Sequence, residues 1–141
     1  MSAAERPIDP DELIRSAASA RAHAYCPYSR FAVGAAVLAG SGRIYAGANV
    51  ENASYGLTIC AERAAVFAAA SAGERVLRAV ALVTDTPQPV PPCGACRQVL
   101  AELAPDQDLE VISATVAGGR ARWRLRELLP HSFTFVPPAP A

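Results

Sequence analysis

Apolar and polar positions divide the chain into short blocks with turn residues between them. Asp9-Pro10-Asp11-Glu12 reads as a helix start: Asp9 can cap, Pro10 suits the first helical position, and Glu12 stands where a capping-box acid belongs. The helix it opens runs to about Ala24 and ends ahead of Pro27. Phe31 to Leu38 is apolar and strand-like, Gly40-Ser41-Gly42 is a turn, and Arg43 to Asn49 returns as a second strand of a hairpin. Thr58 to Ser71 is Ala-rich and helical, with Gly73 placed to stop it. Leu77 to Thr84 reads as a buried strand, and the four prolines between Asp85 and Pro92 demand a loop. From Cys93 to Leu103 the residues Cys96, Val99, Leu100 and Leu103 share one helix face, and Pro105 ends it. Leu109 to Thr115 is a fourth strand, Gly118-Gly119 a turn, Arg120 to Leu125 a fifth strand, and Glu127 to Leu129 a short turn of helix.

The order is αββαβαββ. Helices between strands imply parallel crossovers, and hairpins imply antiparallel pairs. The expected fold is a three-layer α/β/α sandwich around a mixed five-stranded sheet. At 141 residues, with no repeat and no long linker, residues 1–141 form one domain. Residues 1–8 and 136–141 are expected to fray.

Charge changes the picture by exclusion. Thirteen basic residues, all arginine, balance thirteen acidic ones, so nothing general draws the chain to nucleic acid or anionic membranes. Arg120, Arg122, Arg124 and Arg126 alternate with small or apolar residues and read as the wet face of one strand. The N-terminal stretch carries Glu5, Asp9, Asp11 and Glu12 without an apolar core, unlike a signal peptide, and no apolar run approaches a membrane span. These readings point to the cytoplasm, where four cysteines suggest metal or catalytic groups before disulfides.

The cysteines carry the chemistry. Cys60-Ala61-Glu62 and Pro92-Cys93-Gly94-Ala95-Cys96 together offer three thiolates and a carboxylate. Three thiolates can hold zinc and leave its fourth position for water, and Glu62 can handle that water's protons. Cys93 and Cys96 can face one point, and both cysteine segments open helices, whose dipoles favour thiolates. Three thiolates on Zn²⁺ leave one net negative charge, which Arg63 and Arg97 can offset. The same residues admit plainer readings. The cluster could be a closed structural site with Cys26, His23 or His131 as fourth ligand, or Cys93 and Cys96 a redox pair. Glu62 could be an ordinary first-turn acid, Asn49 and Glu51 polar residues ending a strand, and Phe31 a core aromatic.

Four motifs in one order resemble the small, homotetrameric Cys₃-zinc cytidine deaminases nearly end to end. They are Pro27-Tyr28-Ser29-Arg30-Phe31-Ala32-Val33-Gly34-Ala35-Ala36, Asn49-Val50-Glu51-Asn52-Ala53-Ser54-Tyr55-Gly56, Cys60-Ala61-Glu62-Arg63, and Pro92-Cys93-Gly94-Ala95-Cys96-Arg97-Gln98-Val99-Leu100. The resemblance implies one zinc ion per subunit on Cys60, Cys93 and Cys96, with Glu62 as proton shuttle and Arg63 hydrogen-bonded to the ligand sulfurs. It implies that Asn49 and Glu51 hold the ribose hydroxyls, that Phe31 packs on the pyrimidine, and that the Ala61 N–H and Cys93 carbonyl contact the base. Tyr55 and Phe133 match positions that reach a neighbouring subunit's site, with Phe135 beyond the family's usual ending. Cys26 is expected to be a buried thiol.

The implied reaction is hydrolysis of cytidine or deoxycytidine to uridine or deoxyuridine and ammonia, in pyrimidine salvage. The nearest rival is a blasticidin-S-type aminonucleoside deaminase, which shares the zinc motifs. A polynucleotide-editing deaminase needs a basic channel that the neutral charge does not suggest. Deoxycytidylate deaminases usually carry His in place of Cys60, and a non-enzymatic zinc module would have no need of Glu62.

Overall fold

The computed structural model describes residues 6–135. Helix α1 (Pro10–Arg21) is followed by strands β1 (Val33–Ala39) and β2 (Ile44–Ala48). Then come α2 (Ala61–Ser71), β3 (Leu77–Thr84), α3 (Gly94–Glu102), β4 (Glu110–Thr115), β5 (Arg120–Arg124) and the short α4 (Leu125–Leu128). One five-stranded mixed sheet results, in spatial order β2-β1-β3-β4-β5. Only β3 and β4 pair in parallel; β1 runs antiparallel to both β2 and β3, and β4 to β5. The β2–α2–β3 crossover therefore joins like-directed strands with β1 between them.

Both sheet faces are covered, which is why β1 and β3 read as near-continuous apolar runs. Ala35, Val37, Val80, Leu82 and Val111 pack against α2 and α3 through Ala65, Val66 and Leu100. The opposite face, with Ala36, Ala81, Val83 and Ile112, packs on Leu13 and Ala17 of α1. Asp9 caps α1 as expected, its carboxylate accepting the N–H groups of Asp11 and Glu12 at 3.0 and 3.3 Å. Arg120, Arg122 and Arg124 stand on the wet face of β5, paired with Asp11, Glu110 and Asp108. Among the described residues, no helix is long and apolar enough to cross a membrane.

Several expected boundaries move. Thr58 to Cys60 are extended, not helical, because Ile59 pairs with Val50 through two backbone hydrogen bonds of 2.9 and 3.0 Å. Phe31 lies outside β1, and α1 stops at Arg21. Single 3₁₀ turns at Tyr55–Leu57 and Pro105–Gln107 have no counterpart in the sequence reading. Within the stretch expected to fray at the N-terminus, the Arg6 carbonyl accepts Arg78 Nη2 at 2.7 Å and Ile8 packs under α1. Residues 136–141 lie outside the described residues.

Glycine at position 34 lets α1 lie on the sheet. A Cβ there would stand 1.9 Å from the Ala17 carbonyl oxygen and 2.7 Å from the Arg21 backbone nitrogen. Gly34→Ala is therefore expected to lower stability by about 3 kcal/mol, the upper end of overpacking costs. A urea titration followed by circular dichroism reads this, and an unchanged midpoint would contradict the packing.

Candidate active site

The site forms at one end of the sheet. Val33 opens β1 opposite Thr84, the last residue of β3, and Gly34 opposes Ala48, the last of β2. Helices α2 and α3 both begin at this end, so their positive dipole ends converge there. Beyond β2 the chain stays extended. Residues 49–51 are clamped on one side by Tyr25 and on the other by Ile59. That clamp sets Glu51 beside the segment leading to Cys60.

Cys60 is the N-cap of α2 and Cys93 the N-cap of α3. Neither sulfur caps its own helix; they turn toward each other, 3.7 Å apart, and Cys93 and Cys96 stand at 3.2 Å. All three sulfurs lie within 4.8 Å of one another. Sulfurs on a tetrahedral ion with ~2.3 Å bonds stand ~3.8 Å apart, so this donor set fits zinc. Among the described residues no fourth His, Cys, Asp or Glu joins the group. Cys26 is half-buried, not buried as expected, and stands outside the group, as do His23 and His131.

The Cys60 thiol is drawn down to about 5, chiefly by the neighbouring Cys96 thiol, with Arg63 adding to the effect. Cys96 is pushed up by the neighbouring Cys60, by burial and by Glu62. Arg63 Nη2 donates to Cys60 Sγ at 3.5 Å, while its Nε is buried without a partner. Arg97 does not share that duty. Its Nε and Nη1 donate to the Pro92 and Leu128 carbonyls at 2.8 and 2.9 Å, which ties α3 to the C-terminal segment.

Glu62 is only 5% exposed, an uncommon state for a first-turn acid. Burial raises its pKa, and negative charge on Cys60 pushes the same way. It lines a cavity of about 260 Å³ together with Phe31, Asn49, Glu51, Cys60, Ala61 and Cys93. The structure thus brings seven of the sequence-derived site residues onto one concave surface. Phe31 is 43% exposed there, not in the core. Ala61 is the first residue of α2, where an N–H has no intrahelical partner. The Cys93 carbonyl accepts Arg97 N–H at 3.0 Å and keeps one lone pair.

Asn49 is tied to the start of β1: its Oδ1 accepts Val33 N–H at 2.9 Å and its Nδ2 donates to the Phe31 carbonyl at 2.7 Å. Glu51 accepts from the Tyr28 and Ser29 N–H groups and from the Ser29 hydroxyl. Tyr55 and Phe133 do not line this cavity. Tyr55 is 75% exposed and meets Tyr28 edge-on; Phe133 is 72% exposed, its carbonyl held by Gln98 Nε2 at 3.0 Å.

Sequence reading did not assign several other residues of the wall, among them Ser29, Thr84, Val90 and Pro91. The Ser113 hydroxyl donates to the Val90 carbonyl at 2.7 Å and fixes the proline-rich loop to β4. Nothing local in the sequence marks that contact, since it joins residues far apart in the chain.

Comparison with known proteins agrees with this geometry. Residues 8–110 match the cytidine and deoxycytidylate deaminase zinc-binding region. A cytidine deaminase of Halalkalibacterium halodurans is 54% identical over 127 residues, covering 90% of this chain and 96% of that protein. One of Sporosarcina psychrophila is 46% identical over 90% of this chain and 93% of its own length. The crystal structure of cytidine deaminase from Burkholderia pseudomallei superposes with a TM-score of 0.85 at 46% identity, covering 89% of this chain and all of that one. With the match spanning most of its length and both cysteine motifs inside it, the chain belongs to the cytidine and deoxycytidylate deaminase family.

Proposed function

We propose that the chain is a zinc-dependent hydrolase converting cytidine and deoxycytidine to uridine and deoxyuridine with release of ammonia. The observation that carries this reading is the buried Glu62 carboxylate sharing one cavity with Cys60, Cys93, Asn49 and Glu51. Cys60, Cys93 and Cys96 would hold zinc, which when bound would supply the Lewis acidity that makes a water nucleophilic near neutral pH. Glu62 accepts that water's proton and delivers it to N3 of cytosine, which makes C4 electrophilic. Oxygen then bonds to C4. Glu62 next carries the second proton to the amino nitrogen, the C4–N bond breaks, and ammonia leaves. Arg63 draws negative charge from Cys60 and keeps the sulfur cluster from opposing proton loss. Phe31 packs on the ring, and the Ala61 N–H and Cys93 carbonyl orient its polar edge.

The hydrogen bonds already made by Asn49 and Glu51 favour acceptance of both sugars. Asn49 keeps one N–H free, and Glu51 keeps one of about four acceptor sites. One donor and one acceptor satisfy a single hydroxyl, so the 2′-hydroxyl is dispensable. The ultraviolet absorbance change on mixing zinc-loaded protein with either nucleoside tests this. Expected kcat/KM values lie within about tenfold of each other, the span of one net hydrogen bond of ~1.4 kcal/mol. Turnover of blasticidin S with none of cytidine would replace the reading by the antibiotic one.

The exposed rings of Tyr55 and Phe133, with Phe135 equally bare, support a homotetramer in which they complete neighbouring sites. A cytoplasmic setting keeps the ligand thiols unbridged, and pyrimidine salvage is the process such a reaction serves.

A further inference from the structure

The turn at residues 26–30 holds one side chain whose hydroxyl is used twice. The Ser29 hydroxyl donates to Glu51 Oε2, and its oxygen accepts the Phe31 N–H at 3.0 Å. The direction follows from chemistry: an ionised carboxylate only accepts, so the single hydroxyl proton goes to Glu51 and the oxygen lone pairs remain for Phe31. The Tyr28 and Ser29 N–H groups hold the other carboxylate oxygen at 2.9 and 3.1 Å. Between Ser29 and Phe31, Arg30 sits at φ 58°, a left-handed conformation uncommon outside glycine, so surrounding contacts fix this turn.

We infer that Ser29 is a positioning residue whose hydroxyl couples the Glu51 carboxylate to the Phe31 backbone, so that one hydrogen-bonded unit holds both the sugar and the base of the nucleoside. The inference rests on the sugar and base roles proposed above. Ser29 touches neither reacting atom nor sulfur. Its removal leaves Glu51 Oε2 without its donor and the Phe31 N–H without its acceptor, so Glu51 is held only through its other oxygen and Phe31 only through its carbonyl on Asn49. The Glu51 pKa is lowered mainly by the Ser29 hydroxyl, in keeping with a carboxylate held in its ionised form.

Steady-state kinetics on the zinc-loaded protein test the coupling. Ser29→Ala is expected to raise KM for cytidine about tenfold with kcat within about threefold, and Ser29→Thr to restore KM to within about threefold. Adding Ser29→Ala to Glu51→Ala should raise KM by less than about threefold beyond Glu51→Ala alone. If Glu51→Ala raises KM but Ser29→Ala does not, or if the two effects multiply, or if Thr fails to rescue, the coupling is overturned. If Glu51→Ala itself leaves KM unchanged, the sugar reading falls first and the coupling falls with it.

Discussion

Glu62→Ala is expected to lower kcat for cytidine by about 10⁴-fold or more while zinc stays at one equivalent per chain. The size follows from the number of steps that use one carboxylate. A positioned acid–base group contributes about 10²–10⁴-fold, and in the proposed reaction the same group takes a proton from water, gives it to N3 and later serves the leaving nitrogen. The geometry supports that load. Glu62 sits in the first turn of α2, two residues from Cys60, buried at the base of the cavity. Burial favours its neutral form, which makes the captured proton easier to hold between transfers. Glu62→Gln keeps the shape and hydrogen-bonding capacity but cannot carry a proton, so it should lose nearly as much as alanine. Neither variant removes a sulfur, so metal content measured by atomic emission should not change. A Glu62→Gln protein turning over within tenfold of the parent would assign the proton work elsewhere.

How much of this was legible before the fold was seen depends on how local each signal is. The first turn of α1 was legible because Asp9 and Pro10 act within one turn. Strand β3 was legible because burial on both faces leaves an unbroken apolar run. The start of α2 was misplaced by three residues, since the bridge between Ile59 and Val50 that straightens Thr58–Cys60 is a tertiary contact. That correction makes Cys60 a helix N-cap.

Cys60 with Glu62 and Cys93 with Cys96 are likewise local pairs, the meeting of the two pairs is tertiary, and family resemblance named the remaining walls of the cavity. Of the two arginines expected to offset the charge of the sulfurs, Arg63 does so and Arg97 does not. Arg63, three residues from Cys60, shares its face and reaches its sulfur; Arg97 directly follows Cys96 but directs its guanidinium to the Pro92 and Leu128 carbonyls. Ser29 meets Glu51 only because Tyr25 clamps the strand extension beside the turn.

Cys96→Ala is expected to strip the chain of zinc and of activity together, while the sheet stays folded at a lower melting temperature. Cys96 is fully buried in the first turn of α3, and its sulfur completes the three-sulfur group. Two thiolates remain in the variant, and the affinity loss should far exceed the ~10–100-fold that follows loss of a mere outer partner. Stability falls with it because a ligand that binds only the folded state stabilises it by mass action. The fold itself survives for a structural reason. Its two apolar clusters are built from alanine, valine, leucine and isoleucine of the strands and helices, and neither contains a site sulfur. Far-ultraviolet circular dichroism should therefore match the parent, whereas zinc per chain falls toward zero. Chelation of the parent protein should reproduce the lower melting temperature and the lost turnover, and zinc should restore both to the parent but not to Cys96→Ala. A Cys96→Ala protein that kept its zinc would show that Cys96 is a core thiol and not a ligand.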